Sequence, residues 1–275
     1  CRIGAGGVCW VRPPGGESMQ YLDFHCHLDD ERYDGARERI VDDCVARGFA
    51  RLVTVADAHS ERSLRVTEEL LARSPRTACV VGAHPHKAAA YDGAVERALE
   101  RFAAKAVGIG EAGLDYHYNF SPPEDQRRVF ARQIAIAKEM GKPLIVHSRA
   151  AEREALALID AGRFAGPVVF HCFTGDAGAA GEIAARGWCI SVSGIVTFPK
   201  AEDLREIVRT FPAAQLFTET DAPYLAPVPF RGKLNTPAWV AYVAEAVAAL
   251  RGLTVEELNA RVVENFARLA APPAA

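Results

Sequence analysis

From Gln20 onward the chain repeats one unit: a short apolar run, a few polar, Gly or Pro positions, then an amphipathic stretch of helical length. Apolar runs of this length read as strands, and apolar positions three and four apart read as helices. The pattern predicts strands over 21–25, 51–56, 77–83, 106–110, 143–147, 167–171, 188–192 and 215–219. Helices are expected near 34–47, 60–73, 91–104, 122–140, 150–161, 176–186, 200–210 and 236–250, with a last one at about 254–269. Local signals agree with these boundaries. Thr254 is placed to cap the last helix, with Glu257 three residues later; Pro122 and Pro123 suit the first turn of the fourth, and Gly141-Lys142-Pro143 ends it.

Strictly alternating strands and helices imply parallel strands joined by helical crossovers. Eight such units in this length match an α/β fold of the closed (β/α)8 TIM-barrel type. A doubly wound open sheet would carry a glycine-rich phosphate loop after its first strand, and none is present. The barrel is expected to occupy residues 19–270 as one domain. Residues 1–18, rich in Gly and Pro and without periodicity, read as a disordered or artefactual leader, with Met19 as the natural start; residues 271–275 read as a tail. The leader lacks the charged start and apolar core of a secretory signal.

Composition narrows the class. Apolar residues at 49% and charged residues at 24% are the balance of a soluble globular chain, and no apolar run approaches the ~20 residues needed to span a bilayer. A formal charge of −3 supplies no general attraction to nucleic acid, so any such substrate must be held by a local patch or by metal. Seven cysteines without paired spacing argue against a disulfide framework and suit a reducing cytoplasm. Cys26 and Cys172 each follow a histidine, and on a strand they face away from it, as packing residues. Nothing in the pattern calls for an oligomer, and a monomer is the expectation.

Chemistry enters at the strand ends. His25 and His27 end the first strand, Glu111 the fourth, His147 the fifth and His171 the sixth, and Asp221 follows the eighth. Residues two apart on a strand point the same way, so His25 and His27 can reach one ion. In a barrel the C-terminal strand ends converge on one face, which brings these distant residues together. A single histidine or carboxylate at a strand end is more often a loop hydrogen-bonding group or a helix cap. The joint pattern outweighs that reading, because caps have no reason to select this set of strands. Six N and O ligands exceed the three that one catalytic zinc uses, which points to two divalent ions (Mg, Mn or Zn) bridged by Glu111.

Several longer phrases carry a resemblance. His25-Cys26-His27-Leu28-Asp29, Gly82-Ala83-His84-Pro85-His86 and Gly108-Ile109-Gly110-Glu111-Ala112-Gly113-Leu114-Asp115-Tyr116 resemble the TatD family of metal-dependent deoxyribonucleases, within the amidohydrolase superfamily. So do His147-Ser148-Arg149, His171-Cys172-Phe173-Thr174-Gly175, Ser193-Gly194-Ile195-Val196-Thr197-Phe198, Glu219-Thr220-Asp221-Ala222-Pro223-Tyr224-Leu225 and Arg231-Gly232-Lys233-Leu234-Asn235-Thr236-Pro237. The resemblance implies a barrel hydrolase cleaving phosphodiester bonds. It places His25 and His27 on one ion with Glu111 and Asp221, and His147 and His171 on the other, again with Glu111. It also implies substrate-phosphate contacts from His84, His86, Arg149, Arg231 and Lys233, of which the guanidinium groups match phosphate geometry best. His59 and His117 are given no chemistry. Ala150 and Ala151 stand where an aspartate is expected after His147-Ser148-Arg149, and Thr236 where an acidic residue often precedes the proline.

The implied reaction is hydrolysis of DNA by a hydroxide between the two ions, with Asp221 as general base beside Glu111. A net acidic chain with a pocket-like site suits removal of nucleotides from single-stranded ends. The alternatives are hydrolysis of an aminoacyl-tRNA ester or a cyclic amide on the same centre, and a non-catalytic binding barrel. Many cyclic-amide hydrolases of the superfamily bridge their metals with a modified lysine on strand four, where this chain has Glu111. The binding barrel predicts missing ligands, and all six are present.

Overall fold

Runs such as Ala78-Cys79-Val80-Val81 and Leu144-Ile145-Val146 are apolar on both faces because their strands are buried on both sides. The structure, a computed structural model, describes residues 20–271 and two short strands ahead of them, Arg2–Ile3 and Cys9–Trp10, which pair antiparallel. The leader expected over 1–18 otherwise lies outside the described residues, as do positions 272–275 of the expected tail.

Eight strands form the main sheet: β1 (Leu22–Cys26), β2 (Arg51–Asp57), β3 (Thr77–Gly82), β4 (Gly108–Asp115), β5 (Leu144–Arg149), β6 (Val168–Phe170), β7 (Cys189–Val192) and β8 (Leu216–Thr218). All pair in parallel, each beside its predecessor, as a (β/α)8 barrel requires. The helices between and after them are α1 (Arg37–Ala46), α2 (Glu61–Arg73), α3 (Gly93–Ala103), α4 (Pro123–Glu139), α5 (Glu152–Ala161), α6 (Ala177–Ala185), α7 (Glu202–Thr210), α8 (Val240–Arg251) and α9 (Val255–Leu269). Thr254 and Glu257 form the expected reciprocal cap on α9. Two helices, α1 and α8, start three and four residues later than their apolar period suggests. Pro237–Trp239 and Glu31–Tyr33 are separate 3-10 turns ahead of α8 and α1. No single helix among the described residues is long and apolar enough to cross a membrane.

The barrel closes between β8 and β1, and the closure builds the site. Phe24 and Phe217 stack at 4.3 Å between ring centroids, and the single bridge Cys26↔Ala222 joins the strand ends. The amide of His27 donates to the carbonyl of Ala222 at 2.7 Å, and that of Asp221 donates to the carbonyl of His25 at 2.9 Å. Below them Asp23, fully buried, accepts from the Thr220 amide at 2.8 Å and lies 2.6 Å from the Thr220 hydroxyl. Asp221 is thereby pinned beside the two histidines of β1.

One expectation needs correction. The fourth strand does not end at 110 but runs to Asp115, so Glu111 lies inside it. Its register against β5 shifts between Ile109 and Ala112, around Gly110 and Glu111. Gly110 and Gly113 sit at φ 153° and 147°. A side chain at Gly110 would stand 2.7 Å from the Cβ of Ile145, and one at Gly113 would overlap the His147 carbonyl. Only glycine lets β4 approach β5 this closely, and the approach sets Glu111 against His147.

Candidate metal centre

Glu111 is the middle of the site. Its Oε2 lies 3.7 Å from His25 Nε2 and 3.8 Å from His27 Nε2. Asp221 Oδ1 completes that group at 3.9 Å from His25 Nε2 and 3.3 Å from His27 Nε2. Glu111 Oε1 faces a different group: His171 Nε2 at 2.7 Å, His147 Nδ1 at 2.9 Å and His84 Nε2 at 3.3 Å. One carboxylate therefore addresses two sets of nitrogens. The six ligand-type residues expected from the strand ends converge here, from strands as far apart in sequence as β1 and β8.

The residues fit a metal. His25 is buried with both ring nitrogens lacking any hydrogen-bond partner. Its Nε2 stands too far from either carboxylate for a hydrogen bond, and such gaps match two ligands each ~2.1 Å from a shared ion. A buried imidazole without a partner is costly, and coordination removes that cost. Histidine nitrogen with carboxylate oxygen suits a borderline divalent cation.

Electrostatics agree. Burial, then the positive potential of His171, lowers the pKa of His25, and burial lowers that of His84 to about 4, so both are neutral donors. Burial opposes charge on His27 too, but Asp221, Glu111 and Asp29 outweigh it and lift it to about 9. Burial likewise opposes charge on Glu111, yet His171, His84 and His147 hold its carboxyl well below the usual range. Asp221 is lowered in the same way, by His27 above all after burial is overcome. Both carboxylates are thus ionised at neutral pH.

Two carboxylates behind the histidines were not assigned from sequence. Asp115, fully buried, lies 3.1 Å from His147 Nε2 and 2.7 Å from His86 Nε2, and accepts from the amides of His117 and Tyr118 at 3.0 and 2.9 Å. It turns His147 so that Nδ1 faces Glu111. Glu219, also fully buried, lies 3.5 Å from His171 Nδ1 and accepts from the Ser191 hydroxyl. The available signal was strand periodicity. Asp115 shares the face of Glu111 four residues on, and Glu219 stands two before Asp221.

The centre opens into a cleft of about 570 Å³ at the C-terminal strand ends, with His84, His86 and Arg149 in its wall. Arg231 and Lys233 are not part of that wall; they are exposed and lie over the rings of Phe198 and Phe230 at 4.1 and 5.8 Å. Cys172, expected as a packing residue, lines the cleft, with its Sγ 3.2 Å from the Ser193 hydroxyl; Cys26 is fully buried as expected. A larger open groove of about 780 Å³, bordered by α6 and α7, has no histidine in its lining. Asp221 and Cys172 adopt left-handed backbone at φ 54° and 45°, an unfavourable conformation of the kind held at functional sites.

The pattern of the TatD related DNase family matches residues 22–271. The chain belongs to the TatD family. As a TatD-family protein it is a metal-dependent hydrolase on a barrel scaffold. It is 42% identical over 262 residues to the metal-dependent hydrolase YcfH of Escherichia coli K12, covering 91% of this chain and 96% of that one. It is 35% identical over 221 residues to the 3'-5' ssDNA/RNA exonuclease TatD of Escherichia fergusonii, covering 77% and 85%. Among solved structures, the TatD homologue YjjV of Escherichia coli K12 superposes with a TM-score of 0.83 at 26% identity, covering 90% of this chain and 97% of that one.

Proposed function

We propose that this TatD-family hydrolase cleaves phosphodiester bonds in DNA, working from single-stranded ends with two divalent ions. The observation that carries the reading is the divided environment of Glu111, with Oε2 toward His25, His27 and Asp221, and Oε1 toward His147 and His171. When bound, two such ions lower the pKa of the attacking water and offset charge on the scissile phosphate. Asp221, ionised and beside His27, accepts the proton from that water at its carboxylate. Glu111 holds the two groups of imidazoles in register, while Asp115 and Glu219 fix the rings of His147 and His171. Donation to phosphate oxygens falls to His86 and Arg149, and their position on the cleft wall supports that role. The exonuclease name of the Escherichia fergusonii relative supports a single-stranded end as substrate.

The test compares metal-reconstituted wild type with Glu111→Ala and Asp221→Ala on end-labelled single-stranded DNA. Loss of a general base is expected to lower kcat by ~10²–10⁴-fold in Asp221→Ala. Product ladders from 5′- and 3′-labelled strands read the polarity. Unchanged turnover in both variants would remove the mechanism.

A further inference from the structure

The large apolar side chains that stand exposed among the described residues include Tyr118 at 53% and Phe120 at 69%, and both border the cleft. Isolated exposed rings are ordinary on a protein surface. These two are organised. Their rings lie nearly parallel, 14° apart with centroids at 5.6 Å. His86 meets both edge-on, at 5.7 Å from Tyr118 and 4.8 Å from Phe120. Its Nε2 lies 2.7 Å from Asp115, the carboxylate that also orients His147. The ring pair is therefore tied through two side chains to the metal-binding group.

A cation completes the arrangement. Arg149 ends β5 two residues after His147, and its guanidinium lies 5.8 Å from the Tyr118 centroid. It forms no ion pair with any carboxylate among the described residues, so its donors are free for an incoming anion. Tyr224 makes a useful contrast. It is 47% exposed and meets His27 edge-on, but Arg32 lies over it at 4.5 Å and is itself neutralised by two contacts to Asp30. Only the Tyr118 side of the cleft combines open ring surface with uncompensated positive charge. Flat aromatic faces beside a free guanidinium match a base with its attached phosphate.

We propose that Tyr118, Phe120 and Arg149 form a stacking site for one unpaired base of the strand being cut, with Arg149 on the adjoining phosphate. The assignment rests on the nuclease reading above and adds to it a physical source of strand selectivity. A paired base within a duplex shows its edges to a protein and keeps its faces against its neighbours. Only a base that has left the stack can extend the Tyr118–Phe120 pair. Base identity is read weakly, because every base has such a face.

The experiment is a coupling cycle between protein rings and substrate bases. Wild type and the Tyr118→Ala/Phe120→Ala double variant are assayed on a short single-stranded oligonucleotide. Each is then assayed on versions with a tetrahydrofuran abasic residue at successive positions from the cleaved end. In wild type, one abasic position is expected to lower kcat/KM by about 10–100-fold. In the double variant the intact strand loses a similar factor, and that position carries no further penalty. Phe120→Trp, which keeps an aromatic face at that position, is expected to retain the wild-type pattern. Anisotropy of a dye-labelled strand with metal-free protein gives a second readout, in which Arg149→Gln weakens binding and reduces its salt dependence. An abasic penalty undiminished in the double variant, with wild type cutting normally, overturns the stacking site alone. Failure of metal-loaded wild type to cut any oligonucleotide overturns the nuclease reading, and the stacking site with it.

Discussion

Glu111 stands between two sets of imidazole nitrogens, so a change there reaches both at once. Glu111→Gln keeps the shape and removes the charge. Metal affinity is expected to fall by more than the ~10–100-fold typical of a supporting residue, and the metal retained per protein to fall with it. Elemental analysis after dialysis checks it, and a variant that keeps its full metal content would sink the bridging role. Proton competition gives a second expectation. His27 is lifted to about 9, chiefly by Asp221 against the opposing effect of burial, and an ion must displace its proton. Metal affinity should rise as pH increases toward that value. Calorimetric titrations with manganese at about pH 7, 8 and 9 would show it, with proton release that shrinks as pH nears the upper value. At this scale five of the residues read as ligands, His25, His27, His147, His171 and Asp221, were reached from recognisable strand ends, whereas Glu111 was reached from a strand whose end lies elsewhere. Asp115 and Glu219 were not reached, since strand periodicity sets them on the faces of Glu111 and Asp221 without telling a ligand from a carboxylate that orients a histidine. Their roles depend on which ring nitrogen faces which neighbour, and that is decided across strands.

At the scale of elements, most boundaries followed from periodicity and caps, while β4 did not. Gly108-Ile109-Gly110-Glu111-Ala112-Gly113-Leu114-Asp115 has little intrinsic preference for a strand. It stays extended because the glycines let it lie against β5, a tertiary effect that local propensity does not contain. The β1–β8 seam makes a testable counterpart. Asp23 is buried, and burial raises its carboxyl pKa well above the ordinary 3.8, despite the opposing bonds from Thr220. The folded chain therefore holds a proton that the unfolded chain releases. This contribution is complete below the ordinary carboxylate pKa and is lost as pH rises through the folded-state value. Asp23→Asn mimics the protonated group and should remove that part of the pH dependence while remaining folded at neutral pH. Asp23→Ala leaves the Thr220 amide and hydroxyl without a partner, at a cost of about 1–3 kcal/mol. Urea unfolding at acid and neutral pH separates the two. Equal midpoints for all three proteins at both pH values would show that the seam does not depend on Asp23.

Over the whole molecule, the centre draws on the first and last strands of the barrel, so bound metal should stabilise the fold and not only the cleft. At a metal concentration of about 100 times Kd the gain is ~2.7 kcal/mol. For a chain of this size that corresponds to a Tm higher by ~5–10 °C than in excess chelator. Differential scanning calorimetry checks it, and a Tm indifferent to chelation would mean that the site contributes nothing to closure.

The sequence by itself determined the alternation of strand and helix, the barrel class and the types of residue that reach the strand ends. These are local properties, written in periods of two and 3.6 residues and in caps a few positions long. Only the tertiary structure decided how the site is divided. The bridge Cys26↔Ala222 sets Asp221 beside His25 and His27, and the glycine-lined contact of β4 with β5 turns Glu111 between two groups. It also gathered Tyr118, Phe120 and His86 at one rim. The physical reason is range. Backbone periodicity acts over a few residues, whereas barrel closure joins positions nearly two hundred apart and fixes ångström separations that no local pattern encodes.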